Sequence, residues 1–200
     1  NHDPNFIDPL KNPEIEAYTY CVSFEDDFIM VDNHRYLANV LVTDSVFLKL
    51  MDYPVISGIK SIQKPDDVII TRKYAKHLFK DENPLGKQLV SSAGYTLTIR
   101  GIVDEPDTKS SLSFDLIAPV DQGEYVSWSR MGFCITRLVK GTELAKFNEK
   151  ISKPQSLICF SHSPIQFRLF PLKELYFNKV VSSASGFFLR GNKEHVIVLS

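Results

Sequence analysis

Five histidines (His2, His34, His77, His162 and His195) and three cysteines (Cys21, Cys134 and Cys159) are the first residues to ask about chemistry. No two histidines stand at metal-ligand spacing on one helical face, and there is no His-Glu-x-x-His and no Cys-x-x-Cys. Ser161-His162-Ser163 puts a nucleophile beside a base, but catalytic triads are assembled across a fold, so a polar loop is the expectation here. No Gly-x-Ser-x-Gly elbow is present. Asn83-Pro84-Leu85-Gly86-Lys87 has the lysine of a phosphate loop. However, the first glycine of Gly-x-x-x-x-Gly-Lys is absent, since Asp81 stands in its place, and Gln88 stands where the Ser or Thr belongs, so a turn is predicted. Asp66-Asp67 and Glu25-Asp26-Asp27 carry hard oxygen ligands without the glycine and distal glutamate of a calcium loop. The residues therefore nominate no catalytic, cofactor-binding or metal-binding group, and no cofactor is expected. An enzyme would require a pocket that gathers His34 or His162 with carboxylates.

An odd number of cysteines leaves at least one outside any intrachain pair. Small buried core residues are the plain reading. Cys134 and Cys159 could pair in an oxidising compartment, and spacing does not decide it.

The elements that must position these residues follow from patterning. Ala17–Ser23, Phe28–Val31 and Arg35–Thr43 read as strands, the last two joined by a turn at Asp32-Asn33-His34. Asp44 or Ser45 can cap a short helix over Val46–Met51 that stops before Tyr53-Pro54. Val68–Thr71 reads as a buried strand. Thr71 is placed to cap a helix over Arg72–Phe79, where Tyr74, Ala75, Leu78 and Phe79 form an apolar stripe. Further strands are predicted at Tyr95–Val103, with Gly101 allowing a bulge or close approach, and at Phe114–Val120, Phe133–Val139 and Ile165–Phe170. A helix over Glu143–Ile151 would turn Leu144, Phe147 and Ile151 inward. Val180–Gly186 reads as a loop. Strands outnumber helices in mixed order, which favours α+β over a doubly wound sheet.

At 200 residues and 44% hydrophobic composition, the chain can bury a sizeable core without staples. Its formal net charge of −1 and the lack of basic residues interleaved with aromatics speak against nucleic acid as a partner. Asn1–Asn33 holds eight acids against Lys11 alone, a net −7, so the remainder carries +6. A solvated acidic face is the plain account, and docking of a basic partner is the sharper one. No apolar run reaches membrane-spanning length. The chain does not open on Met and shows no signal peptide, which reads as the edge of a longer protein. His195-Val-Ile-Val-Leu-Ser200 is either a last buried element or the start of a membrane segment.

One ordered set of short motifs resembles a known family. Val42-Thr-Asp-Ser-Val-Phe47, Leu50-Met-Asp-Tyr-Pro54 and Gly58 are followed by Val68-Ile-Ile-Thr71, Ala75, Leu78-Phe79 and Asn83-Pro-Leu-Gly-Lys87. Tyr95–Val103, Pro106, Ser110 and Phe114-Asp115 continue the series. Lys140-Gly141 and Gly191-Asn192 are weaker matches in the right order. Together they resemble the MacB-like periplasmic core domain of FtsX-like ABC transporter permeases. Lys109 departs from the pattern, in a loop one residue longer than usual.

The resemblance implies a two-lobed α+β fold: a porter-like lobe from 1–43 and 106–200, and an inserted strand-rich, Sabre-like lobe over 44–105. It implies a non-catalytic periplasmic domain of a bacterial inner-membrane protein. Such a domain would couple ATP hydrolysis in a cytoplasmic ABC ATPase to export, lipoprotein release or envelope signalling. Its partners would be its own transmembrane helices, that ATPase, a second permease copy, and a periplasmic adaptor or outer-membrane protein. The alternative is an extracytoplasmic sensor or ligand-binding module not coupled to ATP.

Overall fold

The computed structural model describes residues 11–104, 112–119, 133–152 and 168–177. Asp32 (φ 48°) and Asn33 (φ 62°) both adopt left-handed backbone, the two-residue turn whose twist suits a tight hairpin. It joins β1 (Ile15–Val31) to β2 (His34–Thr43) in antiparallel register, with Val31 opposite His34 and Cys21 opposite Thr43. The two strands expected at Ala17–Ser23 and Phe28–Val31 are thus halves of one 17-residue strand. The acids between them do not break it, because the register shifts between Phe24 and Asp27 in a bulge with Asp26 at φ 51°. A bulge absorbs extra residues while pairing resumes beyond it.

After β2, the Asp44 carboxylate accepts the Val46 amide at 2.8 Å and starts α1 (Phe47–Met51). Next come β3 (Val55–Gly58), β4 (Asp67–Thr71) and α2 (Arg72–Phe79). The Thr71 hydroxyl caps α2 by accepting the Tyr74 amide at 3.2 Å. β5 (Gln88–Ser91), β6 (Thr96–Val103), β7 (Leu116–Pro119), β8 (Phe133–Leu138) and α3 (Leu144–Ile151) follow, and then a 3₁₀ helix over Leu172–Phe177. β3 and β5 are four-residue strands that patterning did not single out.

The strand expected over Ile165–Phe170 is not seen where it is described. Arg168–Phe170 is irregular, and residues 165–167 lie outside the described chain. The reason is local: the Asn148 side-chain amide holds both backbone groups of Leu169, accepting its N–H at 2.8 Å and donating to its carbonyl at 3.0 Å. Those groups are then not available to a ladder. Val180–Gly186, Trp128 and His195–Ser200 also lie outside the described residues.

The pairings trace a closed ring. β1 pairs with β2, β2 with β7 in parallel, β7 with β4, β4 with β6 in parallel, β6 with β5, and β5 back to β1 at Ile29–Ser91 and Met30–Val90. Strands β4, β5 and β6 come from the stretch 44–105, yet β4 joins β7 and β5 joins β1. A strand-rich barrel with few helices is the result, in keeping with the α+β class.

Its interior is mostly aliphatic. Val22, Ile29, Val42, Ile70, Leu89 and Ile99 are almost wholly buried there, and Tyr74, Ala75 and Phe79 of α2 belong to the same core cluster. β4 is buried on both faces. Its Ile69 joins a second cluster, where Phe47, Tyr53 and Phe114 pack ring on ring at 5.2–6.0 Å. Each such buried side chain contributes about 1.5–3 kcal/mol. β8 extends the sheet along the first half of β1, and Phe147 and Ile151 of α3 pack with Ile15 in a third cluster.

Candidate functional site

The residues singled out for chemistry are placed mostly as braces. Asp67 is buried; one carboxylate oxygen accepts the Gln63 and Lys64 amides at 3.0 and 2.9 Å, and the other lies 3.6 Å from Arg100 Nε. Asp27 accepts the Phe28 amide at 2.8 Å and the Ser92 hydroxyl at 2.9 Å. Among the described residues no three His, Cys, Asp or Glu side chains gather as metal ligands. Asn83 caps the turn by accepting the Leu85 amide at 3.1 Å. Lys87 pairs with Glu82, holding that carboxyl below its ordinary range, and lies 4.7 Å over the Phe79 ring. The ammonium is engaged locally.

His34 Nδ1 lies 2.9 Å from the backbone carbonyl of Asp32, at the hairpin tip. The His77 ring packs against Tyr36 and Tyr74, with centroids 5.8 and 5.9 Å away. His2, His162, His195 and Cys159 lie outside the described residues. Cys21 and Cys134 are free thiols. Burial pushes the Cys21 thiol up to about 12, against a smaller opposing effect of the Thr43 hydroxyl at 3.4 Å. Burial also raises Cys134. A thiol held protonated is a poor nucleophile, so the geometry gives neither cysteine a reactive role.

Two polar features were not visible in the residue pattern. The first is a junction where β1 leaves β8 for β2. Buried Thr19 donates to Asp44 at 2.8 Å and sits 2.9 Å from the Thr43 hydroxyl, while Thr43 also reaches the Tyr20 carbonyl at 2.9 Å. Arg137 on β8 donates to the Leu50 carbonyl of α1 at 2.7 Å. Lys150 of α3 pairs with Glu14 at 2.8 Å and lowers its carboxyl pKa, chiefly by hydrogen bonding. Isolated threonines in a β-rich run carry no sequence signal for such a junction. The second feature is an open depression of about 300 Å³ at the start of α2, lined by Thr71, Arg72, Lys73, Lys76 and Asp104. Arg72 and Asp104 close on each other across it at 2.9 Å.

These braces surround a closely packed barrel core, and the class defined is a strand-rich α+β domain. The model of the family described as MacB-like periplasmic core domain matches residues 4–153, and the chain belongs to that family. It is accordingly a periplasmic domain of the MacB type, from the ABC-permease class of membrane-associated transport proteins.

Solved structures agree on the fold. The periplasmic region of MacB from Actinobacillus actinomycetemcomitans is similar at TM-score 0.63 and 16% identity, over 76% of this chain and 72% of that one. A domain of a putative permease protein from Porphyromonas gingivalis is similar at 0.60 and 20% identity, over 71% and 70%. The extracellular domain of the noncanonic ABC-type transporter YknZ from Gram-positive bacteria is similar at 0.55 and 15% identity, over 74% and 77%. No curated protein matches the sequence.

Proposed function

We propose that this domain is a non-catalytic lever of an ABC permease, moved through its own transmembrane helices by a cytoplasmic ABC ATPase. Its output is export, lipoprotein release or envelope signalling, with a second permease copy and a periplasmic adaptor or outer-membrane protein as partners. The observation that carries this reading is β1. One 17-residue strand runs through the barrel ladder and the β8–α3 layer. A force applied to either body is passed on through a single hydrogen-bonded element, the stiffness that mechanical coupling needs.

The inserted Sabre-like lobe belongs to the same proposal, with 44–105 as the insert and 1–43 plus 106–200 as the porter-like remainder. Because β4 and β5 pair outside the insert, the two divisions act as one body in this reading.

The test uses the complete permease with its ATPase in proteoliposomes. Spin labels replace the exposed Lys73 on α2 and Lys146 on α3. Between the ATP-free and vanadate-trapped states, the distance within one domain should stay constant while distances between copies change. A domain that does not move with nucleotide state would overturn coupling, and a changing internal distance would overturn the lever.

A further inference from the structure

The hairpin's register sorts its residues by face. Ile29, Val31 and Ala38 are buried in the barrel. The alternate residues Phe28 and Met30 on β1, and Arg35 and Leu37 on β2, stand on the outer face, since Phe28 pairs with Leu37 and Met30 with Arg35. Met30 also pairs with half-buried Val90 of β5, so the apolar strip crosses three strands. Leu37 is 68% exposed and Met30 36% exposed, while the Arg35 guanidinium lies 3.5 Å over the Phe28 ring.

Carboxylates bracket this strip along β1. Exposed Glu25 and Asp26 sit at the bulge before Phe28, and Asp32 sits at the turn after Val31. No Lys or Arg occurs from residue 12 to residue 34. The charge decides between occupants. A second copy stacked face to face would set three carboxylates against three, with one Arg35 from each side in relief. An anionic lipid surface would be repelled in the same way. A cationic protein segment with apolar side chains satisfies both the strip and its flanks.

We infer that the outer face of the β1–β2 hairpin is a docking surface for a basic, apolar-anchored segment of a partner protein outside the cytoplasm. It does not depend on coupling to ATP. Leu37 and Met30 are the anchors, the Arg35 guanidinium is engaged on the Phe28 ring between them, and the bulge and turn carboxylates steer the approach. The strip is far smaller than the roughly 20–30 residues a side of a stable interface, so the contact is transient.

The test titrates the isotopically labelled 200-residue chain by NMR with three 12-residue peptides: alternating Leu/Lys, alternating Leu/Glu and alternating Ser/Lys. The Leu/Lys peptide should move the amides of residues 26–37 and leave those of α2 in place. It should bind at least tenfold more tightly than either other peptide. Met30→Ser with Leu37→Ser should raise its Kd at least tenfold at unchanged melting temperature. Leu37→Ser alone serves if the pair unfolds. Asp26→Asn with Asp32→Asn should raise Kd at least threefold and flatten its salt dependence. Shifts centred elsewhere, equal binding of the Leu/Glu peptide, or a Kd unmoved by the serine variants would overturn the assignment. So would self-association, or binding of phosphatidylglycerol vesicles, through this face.

Discussion

Asn39 and Asp115 lock two parallel strands by a reciprocal pair of contacts. The Asn39 amide donates to Asp115 Oδ2 at 2.8 Å, and the Asp115 amide donates to the Asn39 carbonyl at 2.8 Å. The Asp115 carbonyl accepts the Thr71 amide at 2.9 Å. One residue thus ties β2 and β4 at the entry to β7, where the chain returns from the long connection after β6. Asp115→Ala removes the acceptor and leaves a partly buried amide unmet, so a loss of about 1–3 kcal/mol is expected. Urea denaturation measures it, and an unchanged midpoint would refute the role.

The glycine in closest contact with backbone should be the least replaceable. A Cβ on Gly58 (φ 82°) would lie 2.0 Å from the Arg100 carbonyl oxygen, which also accepts the Ile59 amide at 2.9 Å. Gly94 has similar backbone (φ 86°) but open space around it. Gly94→Ala should therefore cost only the backbone preference, about 1 kcal/mol. Gly58→Ala should cost several-fold more, because β3 must separate from β6. Thermal melts of the two variants side by side decide it, and equal losses would contradict the contact.

Alkaline stability should carry the mark of Cys21. Burial pushes the folded thiol up to about 12 from its ordinary 9.0, so the unfolded chain gives up this proton first. The contribution is complete below about pH 9 and is lost as pH rises from there towards 12, at up to about 1.4 kcal/mol per pH unit. Urea midpoints of the parent and Cys21→Ala should converge between pH 8 and pH 10.5, since groups common to both cancel. Parallel curves would show that the thiol is not so buried.

The junction at Thr19 should respond to chemistry rather than to size. Thr19→Val keeps the shape but strips the donor from Asp44 Oδ1 and the partner from the Thr43 hydroxyl. A loss of about 1–3 kcal/mol is expected, with Thr19→Ser restoring most of it. If valine is tolerated as well as serine, the hydroxyl network contributes nothing to stability.

Local signals were legible where the backbone chemistry is local. The Asp32-Asn33 turn, the Thr71 cap, the α2 stripe and the turn at Asn83–Lys87 each depend on residues within a few positions of one another. The short motifs between Asn39 and Val120 also resembled the family to which the chain belongs. Gly101 was read as a bulge or close approach, and both occur: the β4–β6 register shifts there, and a Cβ would lie 2.8 Å from the Ile59 carbonyl oxygen.

What the chain order could not express is which strands meet. The acids at Glu25-Asp26-Asp27 look like a strand end until β2 and Ser92 supply partners for them, and a four-residue β5 has too little pattern to be seen before β1 and β6 flank it. Closure of the barrel, the Thr19–Asp44 junction and the apolar strip from Leu37 to Val90 are all products of pairing across tens of residues. Local preference acts within a turn of helix or a pair of strand neighbours. The rest is decided when distant apolar faces are buried together and their backbone groups must find partners.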